Sequence, residues 1–360
     1  MKILVINPGS TTTKLAVFED QNLVFEQKLD HAADPEFQKQ FSKIGDIFDQ
    51  FNYRLEAISN VLKEHNIEQL DGIVGRGGML PPVISGTYVV NDKMIDDLKN
   101  RPQANHASNL GAALALELAR SFNINDKAFI VDPVTTDEIE DKFKITGIPE
   151  ITRYAGWHAL NQKAVARHYA KDCNKPYESL NLIVAHLGGG FSFGAHKKGK
   201  VINVYNALAG EGPMTPERSG QIPAQALIEL CFSGKEKAEI KHLVAGGGGL
   251  FAHFGTKDLI DLEKRYSTMT QNEKNIIDSM FSGISRSICS LIPDFEGEKI
   301  DQILITGGVA YWKLLIENVR KDLASLCIDI SVYPGEKELE ALRDGAIRVL
   351  TNQEQAKEYK

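Results

Sequence analysis

Two stretches of the chain repeat one pattern of apolar and polar positions. Ile3–Ile6 and Leu15–Phe18 are apolar runs that read as buried strands, and the polar, turn-prone residues Asn7-Pro8-Gly9-Ser10-Thr11-Thr12-Thr13-Lys14 between them predict a hairpin loop. A second turn at Glu19-Asp20-Gln21-Asn22 leads into a further strand reaching Gln27. The series starts again at Leu182–Ala185, followed by the glycine-rich turn His186–Ser192, a return strand through Gly194-Ala195 and another at Val201–Val204. Repetition at half the chain length predicts two related α/β domains facing each other, with two phosphate-holding loops across a cleft.

Elsewhere the apolar spacing lengthens to three and four. Phe37, Phe41, Ile44, Ile47, Phe51, Leu55, Ile58 and Leu62 predict a long amphipathic helix over Pro35–His65, broken near Gly45. A short strand at Asp71–Val74 delivers Gly75-Arg76-Gly77-Gly78. A helix over Asn105–Ser121 leads to the strand Ala128–Val131, which ends on Asp132-Pro133. Ile148–His158 has no periodicity and reads as the crossing between domains, with a helix from Ala159 to about Lys171. Asn206–Gly220 is an irregular stretch ending in Arg218-Ser219-Gly220. Ile276–Leu291 is an apolar core helix, and the strand Gln302–Thr306 runs into Gly307-Gly308 and a helix over Tyr311–Leu323. The last strand, Ile328–Val332, turns at Pro334-Gly335 into a helix over Glu336–Leu350. These elements place one domain at 1–152 with 336–360 and the other at 153–335.

Composition narrows the function classes. The chain has 360 residues, 42% hydrophobic and 25% charged, as expected of a globular protein large enough for two domains. A net charge of -7 without a basic stripe excludes a nucleic-acid footprint. The first apolar run is too short for a signal peptide and no run approaches membrane-spanning length, so a cytoplasmic protein is expected. The four cysteines are scattered, with no C-x-x-C pair and no zinc spacing.

The candidate chemistry is anionic. In the first loop Gly9 allows close backbone approach, Asn7, Ser10 and Thr12 offer hydrogen bonds, and Lys14 adds a positive charge; an ordinary Thr-rich hairpin turn has the same letters. Glycines flank Arg76, giving its planar fork of donors room for an anion, although a surface arginine in a loose turn is the plainer reading. Asp132 stands at a strand's C-terminal end, where α/β domains meet ligands, and Asp before Pro is also a common turn residue. His158, before a helix and beside Tyr154 and Trp157, suits either a cleft or a packed hinge. The Gly307-Gly308 turn leaves backbone N–H groups open to a nucleotide. Glu338 in the first turn of the last helix is explained by the helix dipole alone. The cluster Gly246–Gly249 lacks G-x-x-x-x-G-K-[ST], which occurs nowhere in the chain.

Five ordered motifs carry a resemblance. N-P-G-S-T-T-T-K at Asn7–Lys14, R-Y-A-G-W-H at Arg153–His158, H-L-G-G-G at His186–Gly190, E-R-S-G at Glu217–Gly220 and T-G-G at Thr306–Gly308 resemble the acetate kinase family of carboxylate kinases. The resemblance covers residues 1–350. G-R-G-G at Gly75–Gly78 and the G-E-G-P-M-T-P-E-R-S-G form of the arginine loop put it on the butyrate-using side of that family. It implies two duplicated ribonuclease H-like domains of the actin/Hsp70/sugar-kinase type closing over ATP and Mg2+. The implied reaction is reversible phosphorylation of a short-chain carboxylate, butyrate with isobutyrate or other branched acids, to acyl phosphate plus ADP. Acetate or propionate is the alternative substrate, and a sugar or polyol acceptor or a non-catalytic nucleotide switch fits the arginines and the short polar tail Asn352–Lys360 less well. By the same likeness, Asn7, Ser10, Thr12 and Lys14 match the phosphate and metal-side loop. Arg76, Asp132, His158 and Arg218 match the catalytic and substrate residues. His186, Gly188, Gly189, Gly190, Gly307 and Gly308 match nucleotide contacts, Asn7 and Glu338 the metal-associated residues, and a homodimer the assembly. Ala310-Tyr311-Trp312 stands where acetate kinases have G-E-N.

Overall fold

The computed structural model describes residues 1–41, 45–207 and 210–360. The chain divides into two compact units, Met1–Asp137 with Lys337–Lys360, and Glu138–Glu336. Each unit is built on one sheet.

In the first unit β1 (Lys2–Pro8), β2 (Thr12–Glu19) and β3 (Asn22–Asp30) form an antiparallel meander. β4 (Gly72–Arg76) joins β1 in parallel and β6 (Ala128–Val131) joins β4 in parallel. β5 (Thr87–Val89) adds an antiparallel strand to β6. In the second unit β7 (Asn181–Leu187), β8 (Phe191–Lys197) and β9 (Lys200–Tyr205) repeat the meander. β10 (Gln302–Gly307) and β11 (Ile330–Pro334) extend it in parallel. The spatial orders β3-β2-β1-β4-β6 and β9-β8-β7-β10-β11 are therefore the same, as the internal repetition predicts.

The parallel strands β1, β4, β6, β7 and β10 are apolar and buried through their middles because helices cover the faces of the sheet. The helix Leu110–Ser121, nine of whose residues are buried, packs on β4, and the C-terminal helix Glu338–Leu350 packs on β1 and β4. Gly75 is what allows the first of these contacts: a Cβ there would run into the backbone carbonyl of Gly111. A Cβ on Gly77 would meet Pro133 at 2.6 Å. The glycines around Arg76 thus serve helix and loop packing rather than clearing space for a ligand.

Several expectations are corrected. Both glycine-bearing loops are tighter than the letters suggest, because the residues at their rims continue the ladders: Asn7 pairs with Lys14 and Pro8 with Thr13, while His186 pairs with Ser192 and Leu187 with Phe191. Only Gly9–Thr11 and Gly188–Gly190 lie outside the strands. Arg76 ends a strand rather than sitting in a loop. The long helix is instead Pro35–Phe41, a 3-10 turn Ile47–Gln50 capped by Asp46, and Phe51–Glu64. Ile44 lies outside the described residues, as do residues 208–209 of the irregular Asn206–Gly220 stretch.

The units meet earlier than 152/153, at 137/138, because residues 138–153 are tied to the second sheet. Glu138 Oε2 accepts from Lys163 Nζ at 2.7 Å and from the Val201 amide at 3.0 Å, and the Glu140 amide donates to the Ile202 carbonyl. The second crossing is at 336/337 rather than 335/336, since Glu336 stands beside His186. Nor is the C-terminus a loose tail. β12 (Lys357–Glu358) pairs with β5, and buried Tyr359 donates its hydroxyl to Asp97 at 2.8 Å.

Candidate active site

In the first unit the C-terminal ends of the neighbouring parallel strands β1, β4 and β6 carry Asn7, Arg76 and, one residue beyond, Asp132. This is the edge at which open α/β sheets receive ligands. Glu338, the first residue of the C-terminal helix, completes the group: its Oε1 lies 2.5 Å from Arg76 Nη1, and its Oε2 accepts from Asn7 Nδ2 at 2.8 Å. Asp132 is buried and left-handed at φ 37, and its Oδ1 accepts from the Ser85 hydroxyl at 2.7 Å and the Gly86 amide at 2.8 Å. Those donors fix its orientation. Strand alternation sets Asn7, Thr12 and Lys14 on one face and buries Thr13 on the other.

In the second unit the ends of β7 and β10 present His186 and Gly307. His158, just before the helix Ala159–Asp172, stacks on His186 with ring centroids 3.8 Å apart. Its Nδ1 shares a 2.7 Å hydrogen bond with Ser192 Oγ. Nδ1 of His186 bonds Asn161 Oδ1 at 2.9 Å; its Nε2 lies 3.1 Å from Glu336 Oε1 but is misaligned, and remains a buried polar atom without a hydrogen bond. Arg218 Nη1 donates to the Ala207 carbonyl, and burial lowers the arginine's pKa. The loop is pinned from two sides. Thr215 Oγ1 takes the Arg218 amide at 3.1 Å and donates to the Gly189 carbonyl at 2.9 Å. Behind it, the Ser219 amide bonds the Val244 carbonyl and the Gly246 amide bonds the Glu217 carbonyl, so the Gly246–Gly249 cluster is a buttress and not a phosphate loop.

A cavity of about 570 Å3 opens between Gly188-Gly189, Glu217, Lys257, Gly308 and Glu336. Its size is that of a small-molecule site. Trp312 is buried against Phe281, with ring centroids 5.1 Å apart, while its neighbour Tyr311 is exposed.

Three residues had no part in the sequence reading. His106 is held below its usual pKa by burial and then by the charge of Arg76. Glu336 stands beside His186. Arg54, wholly buried, spends its guanidinium on the backbone of the first loop. The one sequence signal for it is a cation on the apolar stripe of the helix Phe51–Glu64, between Phe51 and Ile58.

The family model described as the acetokinase family matches residues 140–355. Butyrate kinase 2 of Clostridium acetobutylicum is 46% identical over all of this chain and 99% of its own length. A probable butyrate kinase of Clostridium botulinum is likewise 46% identical, over 99% of each chain. The chain belongs to the acetokinase family. It is a carboxylate kinase that uses ATP with Mg2+. Among solved structures, acetate kinase of Porphyromonas gingivalis superposes with a TM-score of 0.76 at 18% identity, covering 97% of this chain and 99% of its own. Acetate kinase of Entamoeba histolytica gives 0.77 at 16%, covering 98% and 100%. Those likenesses establish the duplicated ribonuclease H-like fold.

The residues present fit both groups. The Gly188–Gly190 turn and the adjoining cavity, with Lys257 in its lining, suit a nucleotide polyphosphate. Among the described residues no cluster of three or more His, Cys, Asp or Glu could hold a metal alone. Mg2+ takes one or two protein oxygens and leaves the rest to phosphates and water, and Glu338 beside Asn7 presents oxygens of that kind.

Proposed function

We propose that this acetokinase-family chain phosphorylates butyrate, with isobutyrate and other short branched acids as further substrates, giving acyl phosphate and ADP reversibly. The observation that carries this reading is the full-length 46% identity to a protein named butyrate kinase 2. A fatty acid is already ionised at neutral pH, so the chemistry needs no general base and the obstacle is repulsion between anions. The chain answers with positive and donor groups. Arg76, braced by Glu338, and Arg218, braced by the Thr215 loop, each hold a guanidinium ready for carboxylate or phosphoryl oxygens. His158, oriented by Ser192, donates to the transferring group, and Asp132 orients partners at the end of β6. Ser10, Thr12 and Lys14, with His186 and Gly188, Gly189 and Gly190, hold phosphate oxygens; Gly307 and Gly308 border the nucleoside. Asn7 and Glu338 would supply oxygens for Mg2+, which when bound would offset phosphate charge.

We also assign the protein to the cytoplasm as a homodimer or higher homo-oligomer. Among the described residues no helix is long and apolar enough to cross a membrane. The apolar helix Ala224–Cys231 has no buried residue, and Phe232 beyond it is 86% exposed, which supports self-association. Light scattering would measure it. Trapping acyl phosphate with hydroxylamine across acetate, propionate, butyrate, isobutyrate and polyols tests the substrate. Butyrate should give the highest kcat/KM; a polyol-dependent loss of ATP without hydroxamate would overturn the reading.

A further inference from the structure

Arg54 is buried completely, and its partners among the described residues include no carboxylate. Nη1 donates to the carbonyls of Gly9 at 2.9 Å and Thr12 at 3.0 Å and to Thr13 Oγ1 at 3.0 Å; Nη2 donates to the Ser10 carbonyl at 2.9 Å. The remaining carbonyl of the turn, that of Thr11, accepts from the His31 amide at 2.9 Å. All four carbonyl oxygens from Gly9 to Thr12 are therefore engaged by donors from within the same unit. Gln50 Oε1, accepting from Nε and Nη2, holds the guanidinium plane. Burial lowers the Arg54 pKa to about 10, which leaves the group charged at neutral pH.

A loop that is to face an anion must turn its carbonyl dipoles away from it and offer N–H and hydroxyl donors instead. Desolvating a cation is costly, and satisfying it chiefly with the carbonyls of one three-residue turn and its rims, with Thr13 and Gln50 completing the set, makes sense when the conformation of that turn is what matters. We propose that Arg54 is the positioning residue of the first phosphate loop: its fork draws the loop carbonyls inward, leaving Ser10, Thr12 and Asn7 on the anion-facing side. This rests on the reading above that Asn7–Lys14 meets the transferring phosphoryl. A lysine cannot replace it, because an ammonium has no planar fork to reach the separate carbonyls at fixed angles.

The test uses R54K, R54Q and Q50M in the full chain. Q50M leaves the guanidinium in place but frees it to pivot. Hydroxamate formation gives kcat and both KM values, and hydrogen exchange of the ligand-free protein follows the Gly9 and His31 amides, which bond the loop carbonyls of Thr12 and Thr11. For R54Q we expect kcat to fall roughly 10- to 100-fold, the carboxylate KM to change by less than about threefold, and loop exchange to quicken. R54K should behave like R54Q, and Q50M should show the same signature in smaller measure. The proposal is overturned if R54K restores kcat, if a folded R54 variant keeps its loop protection or its kcat, or if the loss only tracks the folded fraction. Should both arginine variants fail to fold, unchanged kcat and exchange in Q50M would overturn it. Failure of the underlying reading is separately visible, as absence of hydroxamate from the unaltered protein.

Discussion

Replacing Gly190 with alanine puts a methyl group where the Arg218 guanidinium lies. A Cβ built on residue 190 would come within 2.9 Å of Arg218 Nη2 and closer still to Nη1 and Cζ, against ordinary contacts of 3.4–4 Å. The obstacle is the end of a flexible side chain rather than backbone, so the fold yields cheaply and the arginine moves, by on the order of 1 Å. A displacement of that size at a reacting centre costs about 10²-fold in rate, equivalent to about 2.7 kcal/mol of barrier. Gly190→Ala should therefore lower kcat for hydroxamate formation by about two orders of magnitude, with the melting temperature nearly unchanged. The double variant with Arg218→Ala tests the route. If the loss runs through the arginine, adding Gly190→Ala to Arg218→Ala costs little more, the non-additivity expected of residues in contact. A Gly190→Ala enzyme within threefold of the parent, or losses that multiply in the double variant, would refute the reasoning.

Arg218→Ala alone should lower kcat by roughly 10² to 10³, the effect of deleting one preorganised donor; a folded variant losing less than tenfold would remove Arg218 from the site. If Glu338 is a metal ligand as proposed, Glu338→Gln removes one metal oxygen as well as the brace on Arg76, so the Mg2+ concentration for half-maximal rate should rise at least tenfold, in line with the 10- to 100-fold cost of disturbing metal-supporting residues; an unchanged Mg2+ titration would count against the assignment. His31 donates to or accepts from Thr13 Oγ1 at 2.8 Å and is held at a pKa of about 4 by burial and then by Arg54. Below pH 6.5 the unfolded imidazole takes up a proton that the folded one refuses until about pH 4, so stability falls as pH drops through that window. Chemical denaturation should show the parent losing up to about 3 kcal/mol more than His31→Gln between pH 7 and 4; parallel curves would rule this out. Chain-length preference should be partial, at about 1–3 kcal/mol per methylene, measurable as kcat/KM for propionate against butyrate.

Much of the fold was legible because buried strands and helices write their period into the chain. The repeated meander, the parallel strands at Asp71–Val74 and Gln302–Thr306, and the helix starting at Ala159 follow from runs of apolar residues that a covered sheet requires. The three-residue β5 and the helix Asp92–Asn100 were not read, since very short strands and mixed-polarity helices leave weak periods. The loops were read too long. Ladder hydrogen bonds do not discriminate by side chain, so Thr12, Thr13 and His186 join strands despite their polarity.

The amino-acid order by itself determined the duplicated sheet, the glycine turns and, through five ordered motifs, the family. Tertiary structure alone decided which distant residues share an oxygen or a proton. Glu338 reaches Asn7 across 331 positions, residues 138–152 join the second unit, and Arg54 holds the loop 45 residues before it. The reason is physical: periodicity records which face of an element leaves water, whereas a polar side chain's partner depends on which elements the packed core brings together, and no local pattern encodes that meeting.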